Sequence, residues 1–433
     1  MRTVNARLLP KALRTVTDQF VTRRSTSSSA QSSVYIHWPY CEKRCTYCNF
    51  NKYVSNNVDH EVMTSCLVEE LNSVLSETGV SQITTVFFGG GTPNLMKPCN
   101  VESLLKHILP LMPDAYPEVS LECNPKFGTE QQLRDFKSSG ISRISVGLQS
   151  LSDFDRKLLG RTHTAREAIS FVEAAEELFP GRTSVDVIYG RPGQTLHQWV
   201  EELHNVLQLG LSHVSLYELS VERGTQLFKD ASSGKLCLPS QETRSEMYIA
   251  AVEALEKAGL HRYEASNFAK VGHECAHNQR YWKGLQYIGV GPGAHSRLDF
   301  PGHREARIQT LEPVPWMQEV KARGHGTRLV RRQTSSDRLG EMLMLGMRTA
   351  AGISNEDWVK VPGAQSLMNT FQGSPCVQSY IKNGFLRLNE SLLQATGAGM
   401  NVADSITCSL LPLTMEEKDD TETRKDDYWS TTG

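Results

Sequence analysis

The sequence predicts an α/β protein, a partial parallel (βα)6 TIM-like barrel followed by a smaller C-terminal domain. Three observations carry that expectation. Strand-like and helix-like segments alternate six times between residues 34 and 220, which calls for parallel strands joined by crossover helices. A stretch with three cysteines, YIHWPYCEKRCTYCNF at 35–50, begins inside the first strand. Polar residues then recur near the C-terminal ends of successive strands, where a parallel barrel builds its site.

The strand candidates are VYIHW (34–38), ITTVFFG (83–89), EVSLEC (118–123), RISVGL (143–148), SVDVIYG (184–190) and HVSLYEL (213–219). Each is short and rich in β-branched or aromatic residues. Between them lie HEVMTSCLVEELNSVL (60–75), VESLLKHILPLM (101–112), TEQQLRDFKSSG (129–140), REAISFVEAAEELF (166–179) and TLHQWVEELHNVLQLG (195–210). Their apolar residues return at three- and four-residue steps, the helical period. A second domain is expected over 325–412, opening on a helix through SSDRLGEMLMLGMRT (335–349). Its Met and Leu stripe reads as core.

The ends differ from the middle. Residues 1–33 hold six basic side chains (Arg2, Arg7, Lys11, Arg14, Arg23 and Arg24) against Asp18 alone, and close in a Ser-rich patch. Arg-rich, Ser-rich and acid-poor is the composition of a mitochondrial transit peptide. The alternative is a disordered basic tail. Residues 413–433 form an acidic tail expected to be disordered. A net charge of -2 gives no argument for nucleic acid as a partner. No apolar run approaches the roughly 20 residues needed to span a bilayer.

Cys41, Cys45 and Cys48 raise the question of what three close thiols would hold. Ten cysteines in 433 residues is no disulfide scaffold. A closed zinc site wants a fourth protein ligand, and no second C-x-x-C pair exists to supply it. A C-x-x-x-C-x-x-C triplet suits a 4Fe–4S cube, with three irons capped by thiolates and the fourth open to an exchangeable ligand. Cys66, Cys99, Cys123, Cys237, Cys376 and Cys408 are scattered singly and read as buried small hydrophobes.

With YIHWPYC, FFGGGTP, SLECNP, GLQS, GRTH and DVIYGRPGQT in this order, residues 34–300 resemble the radical S-adenosylmethionine (radical SAM) superfamily. More narrowly, the chain resembles its coproporphyrinogen dehydrogenase (HemN) and heme chaperone (HemW) group. The likeness extends through ELSVERGT, HNQRYW, GVGPGAHS and NGFLRLNESLLQATGAGM to about residue 410, a HemN-type C-terminal domain. The resemblance implies that Cys41, Cys45 and Cys48 ligate a 4Fe–4S cluster whose open iron takes the amino and carboxylate groups of S-adenosylmethionine. Gly90, Gly91 and Thr92 would let backbone approach the methionine end. Glu122 and Asp186 would accept hydrogen bonds from its ammonium or ribose, Arg161 would pair with its carboxylate, and Gln149 would stand at the same rim. Tyr35 and Tyr47 would pack on the cofactor, although Tyr35 is also an ordinary strand aromatic.

The resemblance leaves two readings of function, and no catalytic residue is assigned. One is oxygen-independent coproporphyrinogen oxidation. The other is a heme chaperone that passes heme to an acceptor protein, membrane-associated or not. Oxidase relatives carry a further cysteine two residues after the triplet, where this chain has Phe50. HNQRYW (277–282) is similar to the HNxxYW pattern of the chaperones. The expected reading is therefore a mitochondrial heme chaperone, with heme ligation at His277, or at His273 or Cys275, and Tyr281 or Trp282 packed alongside. A homodimer stays open.

Overall fold

A computed structural model describes residues 31–414 except Asn56. Residues 1–30 and 415–433, which carry most of the expected targeting segment and acidic tail, lie outside the described residues. Gln31, Ser32 and Ser33 fall within the expected targeting segment, and they already belong to the first strand.

All six expected strands form: β1 (Gln31–Trp38), β2 (Gln82–Gly90), β3 (Glu118–Cys123), β4 (Arg143–Gln149), β5 (Thr183–Tyr189) and β6 (His213–Glu218). The five expected helices between them are α1 (His60–Thr78), α2 (Pro98–Ile108), α3 (Glu130–Ser138), α4 (Ala165–Leu178) and α5 (Leu196–Leu207), and a short helix over Asp153–Leu158 precedes α4. Local chemistry sets their ends. Asp59 caps α1 by accepting from the Val62 amide, and Gly79 closes it in the left-handed region. Thr164 with Glu167, and Thr195 with Gln198, form reciprocal capping boxes on α4 and α5.

After β6 the chain adds α6 (Gln241–Lys257), β7 (His261–Glu264), β8 (Asn267–Ala269), α7 (Ala276–Trp282), β9 (Tyr287–Val290), β10 (His295–Phe300), β11 (His303–Gln309), α8 (Pro313–Arg323) and β12 (Thr327–Arg332). Among the described residues the main sheet has twelve strands, ordered β12-β11-β10-β9-β1-β2-β3-β4-β5-β6-β8-β7. The six expected strands stand side by side and parallel. β9 pairs parallel with β1, so the parallel run is one strand longer than the sequence pattern showed. The flanking pairs are antiparallel. Among the described residues β12 and β7 stand at the two ends of this strand order.

Alternation decides which side chains meet the site. Val34, Ile36, Trp38, Val86, Phe88, Val119, Leu121, Val146, Val185 and Val187 are buried in one large core cluster, packed with the helices. The alternate positions, including Tyr35, His37, Glu122, Ser145 and Asp186, point to the other face.

A second core runs from Leu339 to Leu410 and includes Leu343, Met347, Trp358, Phe371 and Leu393. It joins α9 (Ser335–Gly346) to a three-stranded sheet of β13 (Ile353–Ser354), β14 (Leu386–Leu388) and β15 (Leu392–Ala395). Leu339 and Leu343 of α9 and Met347 just past it are buried in this core, and Met342 packs against it half-buried, whereas Met344 is exposed. β12 lies between the boundary expected at residue 325 and this second core, and it is hydrogen-bonded to the main sheet. Arg262 ties the two units together, donating to Asn401 at 2.6 Å and to the Gly397 carbonyl at 2.6 Å.

Candidate functional site

The cysteine loop is fastened at both ends. Tyr40–Cys41 pairs in parallel with Tyr53–Val54, which closes the segment between them. Thr46 donates its amide to the Leu159 carbonyl at 3.2 Å and its hydroxyl to the Leu158 carbonyl at 2.8 Å. Lys52 donates to the Cys48 carbonyl at 2.5 Å and the Phe50 carbonyl at 3.2 Å. Asn51 donates to the carbonyls of Pro292 and Leu311, and its own carbonyl lies 2.9 Å from Nε2 of His37. Bonds to His37 on β1 and to the loops at Leu158–Leu159, Pro292 and Leu311 therefore hold the segment that carries the three thiols.

The glycine loop after β2 seats against this segment. Gly91 donates to Trp38 at 2.7 Å, Thr92 donates to Tyr40 at 2.9 Å, and the Thr92 hydroxyl reaches the Cys41 thiol at 3.3 Å. Gly90 has φ 109°, and a Cβ there would stand 2.6 Å from the His37 ring. A Cβ on Gly91 would stand 2.7 Å from the Tyr40 carbonyl oxygen. The protein's own ring and backbone thus already require small residues here, before any cofactor is considered.

One open pocket of about 400 Å³ is lined by Cys41, Cys45, Cys48, Tyr47, Gly90, Gly91, Thr92, Glu122, Gln149, Arg161 and Asp186. Eleven of the thirteen sequence-predicted positions thus converge. Burial, reinforced by Asp186 and opposed by the Gly90 amide, pushes the Glu122 carboxyl up to about 8. Burial also pushes Asp186 up to about 6, against hydrogen bonds from Ser215 and Ser145. Arg161 donates to the Tyr47 hydroxyl at 3.0 Å. Burial works against its charge, yet Tyr47, Cys45 and Cys48 raise its pKa overall. Gln149 is the only non-glycine residue with positive φ among the described residues, at 65°. The register slips between Val146 and Gln149, and that irregularity holds the residue in a strained conformation at the rim.

Sequence reasoning passed over Tyr217. It lines the pocket and keeps 43 % of its surface open there. Asp186 and Glu122 both act on its phenol. The signal was available, since Tyr217 lies two residues past Ser215 on β6 and so shares its face. Lys43, Lys126, Asn124 and Ser145 also line the pocket and were not singled out.

Two predicted residues lie elsewhere. Tyr35 is absent from the pocket lining. Its hydroxyl stands 3.3 Å from Nδ1 of His37, and its ring packs beneath Gly89. His277 sits at the opposite end of the strands, wholly buried. Its Nδ1 lies 2.9 Å from the Thr85 hydroxyl, and its ring packs against Phe87 and edge-on to Tyr281. Glu118, the first residue of β3, accepts from the amides of Ala276 and His277 and so caps α7. HNQRYW is the floor of the barrel. An imidazole enclosed in this way presents no open face to a planar tetrapyrrole. His273 and Cys275 belong to the same floor, through the Gly181 carbonyl at 2.8 Å and Glu118 at 3.5 Å. The scattered cysteines also differ from expectation. Cys66 and Cys123 are buried, Cys376 is half-buried, and Cys99, Cys237 and Cys408 are exposed.

The description "Radical SAM superfamily" matches residues 35–206, and "HemN C-terminal domain" matches residues 333–402. The bovine protein "Radical S-adenosyl methionine domain-containing protein 1, mitochondrial" is 44% identical over 389 residues, which is 88% of this chain and 88% of that one. The chain belongs to the radical SAM superfamily. "Heme chaperone HemW" of Bacillus subtilis is 31% identical over 86% of this chain and 97% of its own. The zebrafish counterpart of the bovine protein, also named mitochondrial, is 42% identical over 89% of this chain and 88% of its own. The bovine and zebrafish relatives, both named mitochondrial, place the chain in the mitochondrion. In three dimensions it superposes on coproporphyrinogen III oxidase (HemN) of Escherichia coli with a TM-score of 0.73, at 20% identity, covering 88% of this chain and 90% of that one. That likeness is one of fold.

Membership in the radical SAM superfamily implies a 4Fe–4S cluster and S-adenosylmethionine, and the residues fit both. Among the described residues no three Cys, His, Asp or Glu side chains close on a single metal ion. A cube with one iron per thiolate asks for a wider spread. Burial pushes the Cys41 thiol up, opposed by the Thr92 hydroxyl and reinforced by Cys45 and Cys48. Clustered iron offsets such mutual repulsion.

Proposed function

We propose that this radical SAM protein is a mitochondrial heme chaperone. It holds a 4Fe–4S cluster on Cys41, Cys45 and Cys48, binds S-adenosylmethionine in the adjoining pocket, and passes heme to an acceptor protein. The observation that carries the reading is the 31% identity to a named heme chaperone across 97% of that protein's length. The site supports it at one position. Phe50, where oxidase relatives place a cysteine, stands 67 % exposed at the pocket mouth.

When bound, the cluster supplies an electron-transfer centre with one iron free for the methionine end of S-adenosylmethionine. The chain's own groups do the rest. Glu122 and Asp186 face the pocket as hydrogen-bond acceptors for an ammonium or ribose hydroxyls. Arg161, buttressed by Tyr47, offers a fixed cation for a carboxylate. Gln149 is held aimed at the same space by its strained backbone. Heme ligation at His277 does not carry forward, because that ring belongs to the floor.

The test uses anaerobically reconstituted full-length protein. Heme titration should give a saturable Soret band, and coproporphyrinogen with reductant and S-adenosylmethionine should remain unconverted. Robust conversion would overturn the chaperone reading and restore the oxidase.

A further inference from the structure

β12 is an edge strand, with no strand paired to its outer side among the described residues. It pairs with β11 on one side, and Arg328, Leu329, Val330, Arg331 and Arg332 are all exposed in succession. Leu329 and Val330 keep 50 % and 52 % of their surfaces open. Long open edges with apolar side chains are templates for pairing, and proteins commonly cover them. Pairing with a second copy is opposed by charge, since the antiparallel match centred on Val330 would set Arg328 against Arg332. Arg331 has a long ion pair with Asp337 at 3.4 Å, and Arg332 reaches the Gly302 carbonyl at 3.4 Å. Arg328 makes no ion pair among the described residues.

The described chain ends beside this strand. The Thr414 carbonyl accepts from the Ser336 hydroxyl at 2.9 Å, and Ser336 lies four residues past Arg332, the last residue of β12. Nineteen residues follow Thr414. Extended, they reach about 60 Å, against about 17 Å for five strand residues. Residues 416–427 hold seven acidic side chains and three basic ones. Run antiparallel from the Arg332 end, EEKDD (416–420) sets Glu416, Glu417 and Asp420 opposite Arg332, Arg331 and Arg328.

We infer that the acidic segment 416–420 docks on the open edge of β12 as an added antiparallel strand, guided by these three arginines. Tethering makes the encounter intramolecular, so the segment competes at an effective concentration no free peptide matches. The inference is independent of the heme reading, because it involves neither the pocket nor its ligands.

Hydrogen–deuterium exchange on full-length protein tests it. The amides of 328–332 should be protected at low salt. Protection should fall about tenfold when Glu416, Glu417 and Asp420 are changed to Lys, and should weaken at high salt as the charges are screened. Changing Arg328, Arg331 and Arg332 to Glu in that tail variant should restore it. If the strand variant misfolds by near-ultraviolet circular dichroism, the tail variant alone decides. Equal exchange in wild type and tail variant overturns the inference. So does protection that survives tail reversal and grows with protein concentration, which would assign the edge to a second copy.

Discussion

Replacing His277 with Ala separates a structural imidazole from a heme ligand. The ring is wholly buried, 2.9 Å from the Thr85 hydroxyl, and 4.8 Å centroid to centroid from Tyr281. Removing it strands the Thr85 hydroxyl, at about 1–3 kcal/mol, and deletes ring contacts of about 0.5–1.5 kcal/mol. Part of this is returned, because Nε2 has no partner among the described residues. A net loss of about 2 kcal/mol is expected, or roughly 30-fold at 1.4 kcal/mol per decade. Because the main sheet and the C-terminal unit have separate cores, a local readout is preferable to a global melt. The amides of Ala276 and His277, bonded to Glu118, should exchange about 30-fold faster, while the heme Soret band of the folded protein stays in place. Burial also holds the imidazole down to about 3, neutral when folded. The unfolded chain then takes up more protons below about pH 6.5, so wild type loses stability as pH falls from there toward 3. The variant should lose that slope. Unchanged exchange with a vanished Soret band would refute the floor assignment and return His277 to the heme.

Three further outcomes follow from the site. Changing Cys41, Cys45 or Cys48 to Ala should abolish retention of about four irons per chain, measured by iron assay after anaerobic reconstitution, whereas exposed Cys237→Ala should leave the count unchanged. Gly90→Ala forces a Cβ to 2.6 Å from the His37 ring at φ 109°; it should cost about 1–3 kcal/mol and weaken S-adenosylmethionine binding by calorimetry, and a neutral result would mean the glycine loop is slack. Glu122, at about 8 when folded, contributes stability that is full below about pH 4.5 and lost as pH rises through about 8. Binding of an ammonium to its carboxylate should therefore tighten across pH 6–8 and release protons. Glu122→Gln should flatten that profile, and an unchanged profile would exclude this carboxyl.

The sequence by itself determined the elements and most of the pocket. Period-two and period-3.6 patterns are local, so the six strands and five helices appear where the pattern places them. Polar residues at the ends of successive parallel strands must meet at one rim, which is why Glu122, Gln149 and Asp186 were legible beside the cysteines. Tertiary structure decided what no local pattern encodes. YIGV at 287–290 is too short to announce a seventh parallel strand, and pairing with β1 made it one. HNQRYW looks like a ligand motif on paper, yet Glu118 and Thr85 bond it to the strand starts, at the end of the barrel away from the pocket. The exposure of Cys99, Cys237 and Cys408 was equally invisible, because burial depends on what packs around a residue and not on the residue alone.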